Sequence, residues 1–119
     1  MDNFSLLRFN HSTWHVVTSD ISLSPNDEMY IVGGRHDLIL PLAKDTRVGN
    51  TIEIVGTKYG WRLIIPEGIT VAFDTTTAGH GEYLASHSLR GCVKLVAVPD
   101  CTWQVVHCLG VLRVGKVEV

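Results

Sequence analysis

The stretch VGNTIEIVGTKYGWRLIIPEG, residues 48–68, decides the predicted fold. Ile52 and Ile54 occupy alternate positions in its first half, and Trp61 and Leu63 do so in its second half. A period of two places one set of side chains on the buried face of a strand, so each half is predicted to be a strand. The Gly-bounded link GTKYG, residues 56–60, has a length that joins antiparallel neighbours. The stretch therefore predicts a β-hairpin.

The rest of the chain has the same character. Further strand-like runs, each short and β-branched or alternating, occur at residues 13–18, 29–32, 36–42, 69–73, 82–84, 91–98, 102–109, 111–114 and 117–119. Gly33-Gly34 predicts a second tight hairpin, Pro99-Asp100 predicts the longest one, and the polar residues 74–81 predict a surface excursion. No helix longer than about two turns is expected, because no segment has the helical period. The sequence predicts an all-β fold in which antiparallel hairpins form a sandwich or a barrel-like domain, with no fixed repeat period.

The length and composition indicate one domain. The chain has 119 residues, which suffices for one core but not for two. Within it, residues 1–29 are expected to be an N-terminal arm with one strand, and residues 30–119 to be the β domain. Only 18% of the residues are charged and 45% are hydrophobic, so some apolar surface is expected to be covered by another chain.

Charge and hydropathy argue against several functional classes. The net charge of −2 and the pI of about 6.3 provide no basic field for nucleic acid. No apolar run reaches the roughly 20 residues that span a bilayer, and the N-terminus lacks the pattern of a signal peptide. The three cysteines, Cys92, Cys101 and Cys108, lack the spacing of a zinc site and are expected to be reduced and buried.

No catalytic, metal-binding or cofactor-binding motif emerges. His11 and His15 are four residues apart, but in a strand that spacing separates them by about 13 Å, too far for one ion. A Ser-His-Asp set can be written from residues 74–87, but the Gly-x-Ser-x-Gly nucleophile motif is absent. Gly33-Gly34-Arg35 lacks the Lys and Ser or Thr of a phosphate-binding loop. We therefore expect no enzyme, no metal site and no cofactor.

The aromatic residues divide into two groups. Trp61 and Trp103 lie in strand register with aliphatic neighbours and are predicted to pack in the core. Tyr59 is predicted at a hairpin tip, where an exposed ring can stack on a sugar or on a partner surface.

Two loops are the candidate ligand-binding elements, because recognition usually lies on loops at the end of a rigid scaffold. A sugar site needs a flat ring and a few hydrogen-bonding groups directed at hydroxyls. The residues that offer these are Tyr59, Asp74, Thr76, His80, Glu82 and Tyr83. The alternative is that these loops only turn the chain.

Five motifs occur in an order that resembles a known class of viral domain. They are Leu40–Leu42, Val48–Asn50, Gly60–Arg62, Cys92–Val98 and Thr102–Val106. Across about residues 30–110, this order resembles the β-rich terminal domains of bacteriophage tail fibres and tail spikes. Such domains are usually homotrimers that cap a fibre and contact a sugar or protein on the host surface, and they have no common catalytic signature.

Two hypotheses about function remain open. The resemblance implies a trimeric structural or receptor-binding domain of a phage or phage-derived particle, located in the virion or in the cytoplasm of the producing bacterium. Trp14, Val16 and the C-terminal valines, including Val119, are the expected interface residues. The alternative is a stand-alone small β protein that binds or acts on carbohydrate.

Overall fold

The computed structural model describes residues 14–58, 60–88 and 90–117. In this part the chain forms twelve strands and one 3-10 turn, Ala43–Asp45, without an α-helix. The strands are β1 (Trp14–Val17), β2 (Ile21–Ser22), β3 (Asn26–Val32), β4 (Asp37–Ile39), β5 (Thr51–Gly56), β6 (Arg62–Ile64), β7 (Thr70–Phe73), β8 (Thr76–Ala78), β9 (Glu82–Ser86), β10 (Cys92–Val98), β11 (Thr102–Leu109) and β12 (Leu112–Lys116). The predicted all-β fold is therefore confirmed for these residues.

The strands form two sheets, and the first half of the chain alternates between them. The seven-stranded sheet has the order β1-β3-β5-β10-β11-β7-β8, and the five-stranded sheet has the order β12-β9-β6-β4-β2. In the first sheet β1, β3 and β5 pair in parallel, and in the second β2, β4 and β6 do the same. The first six strands therefore stack as three coils, each with one strand in each sheet. Later strands add mainly antiparallel pairs, so both sheets are mixed.

The predicted hairpin over residues 48–68 is wrong. Its two strands exist as β5 and β6, but they lie in different sheets. Ile52 and Leu63 are both fully buried, from opposite sides of one core. Alternation of apolar residues identifies the buried face of a strand but does not identify the strand that pairs with it. The short link between β5 and β6 is long enough to cross between two sheets about 10 Å apart. The predicted hairpin across Gly33-Gly34 is wrong for the same reason, since β3 and β4 also lie in different sheets.

Other predicted connections have mixed outcomes. The hairpin across Pro99-Asp100 is confirmed as the antiparallel pair β10–β11. Residues 74–81 are not a plain surface excursion, because they contain β8, which pairs with β7 across a tight turn. The strand predicted before Gly115 is β12, which continues through this glycine to Lys116, and residues 118 and 119 of the strand predicted after it lie outside the described residues.

One hydrophobic core lies between the sheets. Leu38, Leu63 and Leu84 face it from the five-stranded sheet, and Ile54 and Leu95 from the seven-stranded sheet. Burial of such side chains stabilises each by about 1.5–3 kcal/mol relative to exposure. The alternation of buried and half-buried residues along β5 and β10 follows from this two-layer arrangement.

Both core tryptophans are buried as predicted. Trp61 donates a hydrogen bond of 3.0 Å from Nε1 to the backbone oxygen of Gly91, while Trp103 Nε1 has no partner among the described residues. The expectation of buried thiols is wrong for two of the cysteines. Cys101 lies in the exposed β10–β11 turn, and Cys108 lies on the exposed end of β11.

Residues 14–29 contribute to both sheets. β1 pairs with β3, β2 pairs with β4, and Val17 and Leu23 belong to the core. Across the described residues, the structure contains no helix with the length and apolar character needed to cross a membrane.

Candidate functional site

The candidate site lies on the outer face of the five-stranded sheet. Register partners in adjacent strands point to the same face, so the pairing defines two rows of side chains. One row crosses β4, β6, β9 and β12 as Asp37, Arg62, Ala85 and Arg113. The next row is Ile39, Ile64, Tyr83 and Gly115. Charged and aromatic groups are therefore held on rigid strands and not on loops.

Arg62 and Asp37 form a bidentate ion pair across the parallel strands β6 and β4. Arg62 donates from Nε to Asp37 Oδ1 and from Nη2 to Asp37 Oδ2, both at 2.8 Å. The hydrogen bonds from Arg62 hold the pKa of the Asp37 carboxyl below its usual value, and those same bonds raise the pKa of the guanidinium. Both groups are therefore charged at neutral pH, and the planar guanidinium is fixed in orientation.

Tyr83 packs between two neighbours in this face. The guanidinium carbon of Arg62 lies 4.7 Å from the centre of the Tyr83 ring, the geometry of a cation–π contact. On its other side the Tyr83 ring lies against Gly115 of the neighbouring strand β12, so close that a Cβ atom at this glycine would collide with the ring. Part of the ring surface is therefore already covered within the protein.

A cleft of about 510 Å³ opens beside this ion pair. It is bounded by the β3–β4 connection, the end of the β5–β6 connection and the residues that follow β9. Its lining residues are Arg35, His36, Asp37, Gly60, Trp61, Arg62, Tyr83, Ala85, Ser86 and His87. The volume falls in the range of small-molecule sites, and the wall combines polar and apolar groups in about equal measure.

Asp20 supports one side of the cleft. Its Oδ1 atom accepts a hydrogen bond of 2.9 Å from the backbone N–H of Asp37, and the same oxygen lies 3.7 Å from Nδ1 of His36. The loop before β2 therefore holds the start of β4 in place, and with it the carboxylate that orients Arg62.

Two polar groups of the cleft are already engaged within the protein. Asp37 is the carboxylate among the lining residues, and its lowered pKa keeps it ionised, whereas a general acid needs a raised pKa. The buried Ser86 hydroxyl donates to the backbone oxygen of Ser88 at 3.3 Å and is thereby directed away from a catalytic base. Nowhere in the described residues do three or more His, Cys, Asp or Glu side chains meet in a metal-binding group.

The structure separates the residues predicted to bind a ligand. Tyr83 lines the cleft, whereas Asp74 and Thr76 are exposed around the β7–β8 turn in the other sheet. His80 is exposed outside the cleft, and Glu82 accepts a hydrogen bond of 2.8 Å from the backbone N–H of Gly79. Tyr59 lies outside the described residues, although its neighbour Gly60 lines the cleft.

A second polar cluster joins β1 to β3. His15 Nε2 pairs with Glu28 Oε1, and the His15 ring stacks on Tyr30 at 4.9 Å between centroids. The Tyr30 hydroxyl accepts a hydrogen bond of 2.7 Å from the backbone N–H of Ser24, and burial raises the pKa of this tyrosine. This cluster satisfies buried polar groups beneath His15. His11, the other member of the pair considered above, lies outside the described residues.

The sequence did not reveal the main groups of the cleft. Asp37 and Arg62 are 25 residues apart and meet because β4 and β6 pair in parallel. Nothing local in the sequence indicates that pairing once β5 and β6 are taken as a hairpin. The available signal in the sequence was the apolar alternation around Ile52 and Leu63. It predicts a buried face on each strand, and two facing sheets explain that as well as a hairpin does.

No protein-family model matches the chain, and no curated protein matches it. Its function is therefore argued from its own residues.

Proposed function

We propose that the chain is a non-enzymatic receptor-binding domain of the tail-fibre type, assembled as a homotrimer, which recognises a host-surface glycan through the cleft beside Arg62. The observation that carries this proposal is the cleft itself. Asp37, Arg62 and Tyr83 in its wall lie on paired strands, so these hydrogen-bonding groups are positioned before a ligand arrives. Preorganisation of this kind reduces the entropy lost on binding.

Binding without catalysis accounts for the chemistry of the cleft. Asp37 is held ionised by Arg62, and Ser86 is engaged with the backbone. These groups are suited to orienting a ligand by hydrogen bonds. Their surroundings supply neither an activated nucleophile nor a carboxyl group with a raised pKa.

Exposed apolar side chains support the trimer. Val106, Leu109 and Val111 are each more than half exposed at the end of β11 and the start of the link to β12. Trp14 and Val16 of β1 are also exposed, at the opposite edge of the seven-stranded sheet. Apolar side chains beside sheet edges are a typical basis for association between chains.

The second candidate is a stand-alone carbohydrate-binding protein. The walls of the cleft are complete within one chain, so the site does not need a second chain to form. A monomer could therefore bind the same ligand. The mass in solution separates the two candidates, since only the first requires three chains.

Two exposed histidines provide a matched test of the site. His87 lines the cleft, whereas His80 does not. Binding of the purified protein to a glycan array and to bacterial cells is measured for the wild type, His87→Ala and His80→Ala. We expect His87→Ala to weaken binding and His80→Ala to leave it unchanged. Loss of binding in His80→Ala alone would indicate that the site lies in residues 74–82. Absence of binding by the wild type would contradict the proposed function.

A further inference from the structure

The charge of the cleft differs from the charge of the whole chain. The protein has a formal net charge of −2, yet two arginines and two histidines line the cleft against one aspartate. Arg113 continues the row of Arg62 across the same face of the sheet. Guanidinium and imidazole groups are therefore concentrated at the cleft in a chain that is acidic overall, with Asp37 and the neighbouring Asp20 as the carboxylates, and such N–H donors favour an anionic ligand at this place.

Arg62 retains hydrogen-bonding capacity for such a ligand. A guanidinium has five N–H groups in a planar fork, and Asp37 accepts from Nε and Nη2 along one edge. The Tyr83 side chain is a further hydrogen-bond partner, and the Arg62 side chain is 46% exposed and lines the cleft, so N–H groups beyond those bonded to Asp37 and Tyr83 remain for a ligand. Because Asp37 and Tyr83 hold the guanidinium in place, it can meet a second oxyanion with little loss of rotamer freedom.

The aromatic ring is less suited to recognition than the arginine. A neutral sugar usually binds by stacking on an open ring, but the Tyr83 ring is in contact with Arg62 and Gly115. The guanidinium is therefore better suited to recognition than the Tyr83 ring, since it selects for charge and for bidentate geometry.

We propose that the cleft binds a glycan that carries an anionic group, a carboxylate or a sulfate, and that Arg62 contacts this group with Arg35 and the two cleft histidines around it. This inference deepens the proposed function and rests on it. Asp37 acts as a positioning residue that fixes Arg62.

The test compares matched glycans and matched arginine variants. Binding constants are measured by calorimetry for a carboxylated, a sulfated and a neutral oligosaccharide of the same length. The variants are Arg62→Gln, Arg62→Lys and Arg47→Gln. Arg47 is exposed and lies outside the cleft, so Arg47→Gln reproduces the change in net charge without altering the site. Thermal melting of each variant monitors folding.

We expect the anionic glycans to bind more tightly than the neutral one, and we expect their binding to weaken as the salt concentration increases. Arg62→Gln should weaken anionic binding by about tenfold or more, and Arg62→Lys should weaken it less, because lysine keeps the charge but loses the fork. Arg47→Gln should bind as the wild type does. Comparison of the binding constants for the carboxylated and the sulfated oligosaccharide shows which anion is preferred.

Two results would overturn this inference. Equal, salt-independent binding of neutral and anionic glycans would reject the anionic ligand while leaving the proposed function standing. Anionic binding that Arg47→Gln weakens as much as a folded Arg62→Gln would show general charge attraction without a site. Absence of binding to any glycan or cell would instead reject the proposed function, and this inference with it.

Discussion

At the residue scale, the Asp37–Arg62 pair links the candidate site to stability. The pKa of Asp37 is lower in the folded protein than its ordinary value of 3.8. Its ionised form therefore stabilises the fold at pH values above 3.8, and this contribution is lost as the pH falls through the lower folded-state pKa. The pair is partly exposed, which limits its contribution.

The corresponding prediction concerns Asp37→Asn. At pH 7 we expect this change to lower the free energy of unfolding by about 0.5–1 kcal/mol. The difference from the wild type should shrink below pH 3.8 and vanish once the folded-state carboxyl is protonated. Urea unfolding across this pH range measures it. Asp45→Asn, at an exposed carboxylate in the 3-10 turn, is the control. A difference that stays constant with pH would contradict the role of the charge.

A second residue-scale prediction concerns Gly60, beside the cleft. A Cβ at this position would collide with the backbone oxygen of Ser86, which is fixed at the end of β9. We expect Gly60→Ala to cost about 1–3 kcal/mol of stability. Gly79→Ala is the matched control, because no atom lies within 4 Å of its Cβ position, and its cost should stay within about 0.5 kcal/mol. Equal melting temperatures for the two variants would contradict the close approach.

Residue-scale sequence analysis succeeded where local pattern determines the answer. Trp61 and Trp103 were assigned to the core because alternation and ring size both favour burial. Tyr83 was selected for its aromatic ring, and it does line the cleft. Arg62 was missed because its role depends on a partner from another coil, Asp37, and on strand pairing that the local pattern does not determine.

At the element scale, unequal coil lengths explain why the stacking was not visible in the sequence. Trp14 pairs with Met29, 15 residues later, and Met29 pairs with Glu53, 24 residues later. A stacked fold is recognised from sequence by a fixed period, and these coils have none. The sequence predicted every described strand except β2 and β8, yet two of the three predicted hairpins joined strands that lie in different sheets.

The pairing of β2 with β4 can be tested by a designed disulfide. Ser22 and Ile39 are register partners on exposed positions of adjacent parallel strands, within the range of Cα separations that a disulfide spans. In a background with the three native cysteines replaced by serine, Ser22→Cys with Ile39→Cys should oxidise rapidly to a bond within one chain. Protection of both thiols from alkylation measures this.

The control for this disulfide uses the next strand. Ser22→Cys with Ile64→Cys places the thiols on β2 and β6, which are separated by β4 and therefore about 10 Å apart. This pair should remain alkylatable. Equal oxidation of the two pairs would contradict the pairing of β2 with β4.

At the scale of the whole molecule, the apolar residues at the end of β11 need an explanation. β7 pairs with β11 only at Thr102–Gln104, so the later part of β11 extends beyond its described neighbour on that side. All residues from 106 to 111 are exposed there, and β12, which follows, is the edge strand of the other sheet. Edges of both sheets and exposed apolar side chains thus meet on one side of the molecule. A stable interface between chains typically has these properties.

The homotrimer is therefore predicted to bury Leu109 and its neighbours Val106 and Val111. Sedimentation equilibrium should give the mass of three chains for the wild type, and Leu109→Glu should shift it towards one chain, since burying an unpaired charge costs several kcal/mol. Val48→Glu is the control, because Val48 is more exposed than Leu109 but lies in the turn before β5. The melting temperature of the wild type should rise with protein concentration, as expected when folding and association are linked. A wild-type mass of one chain would favour the stand-alone binding protein. A trimer that tolerates Leu109→Glu and dissociates with Trp14→Asp would place the interface along β1.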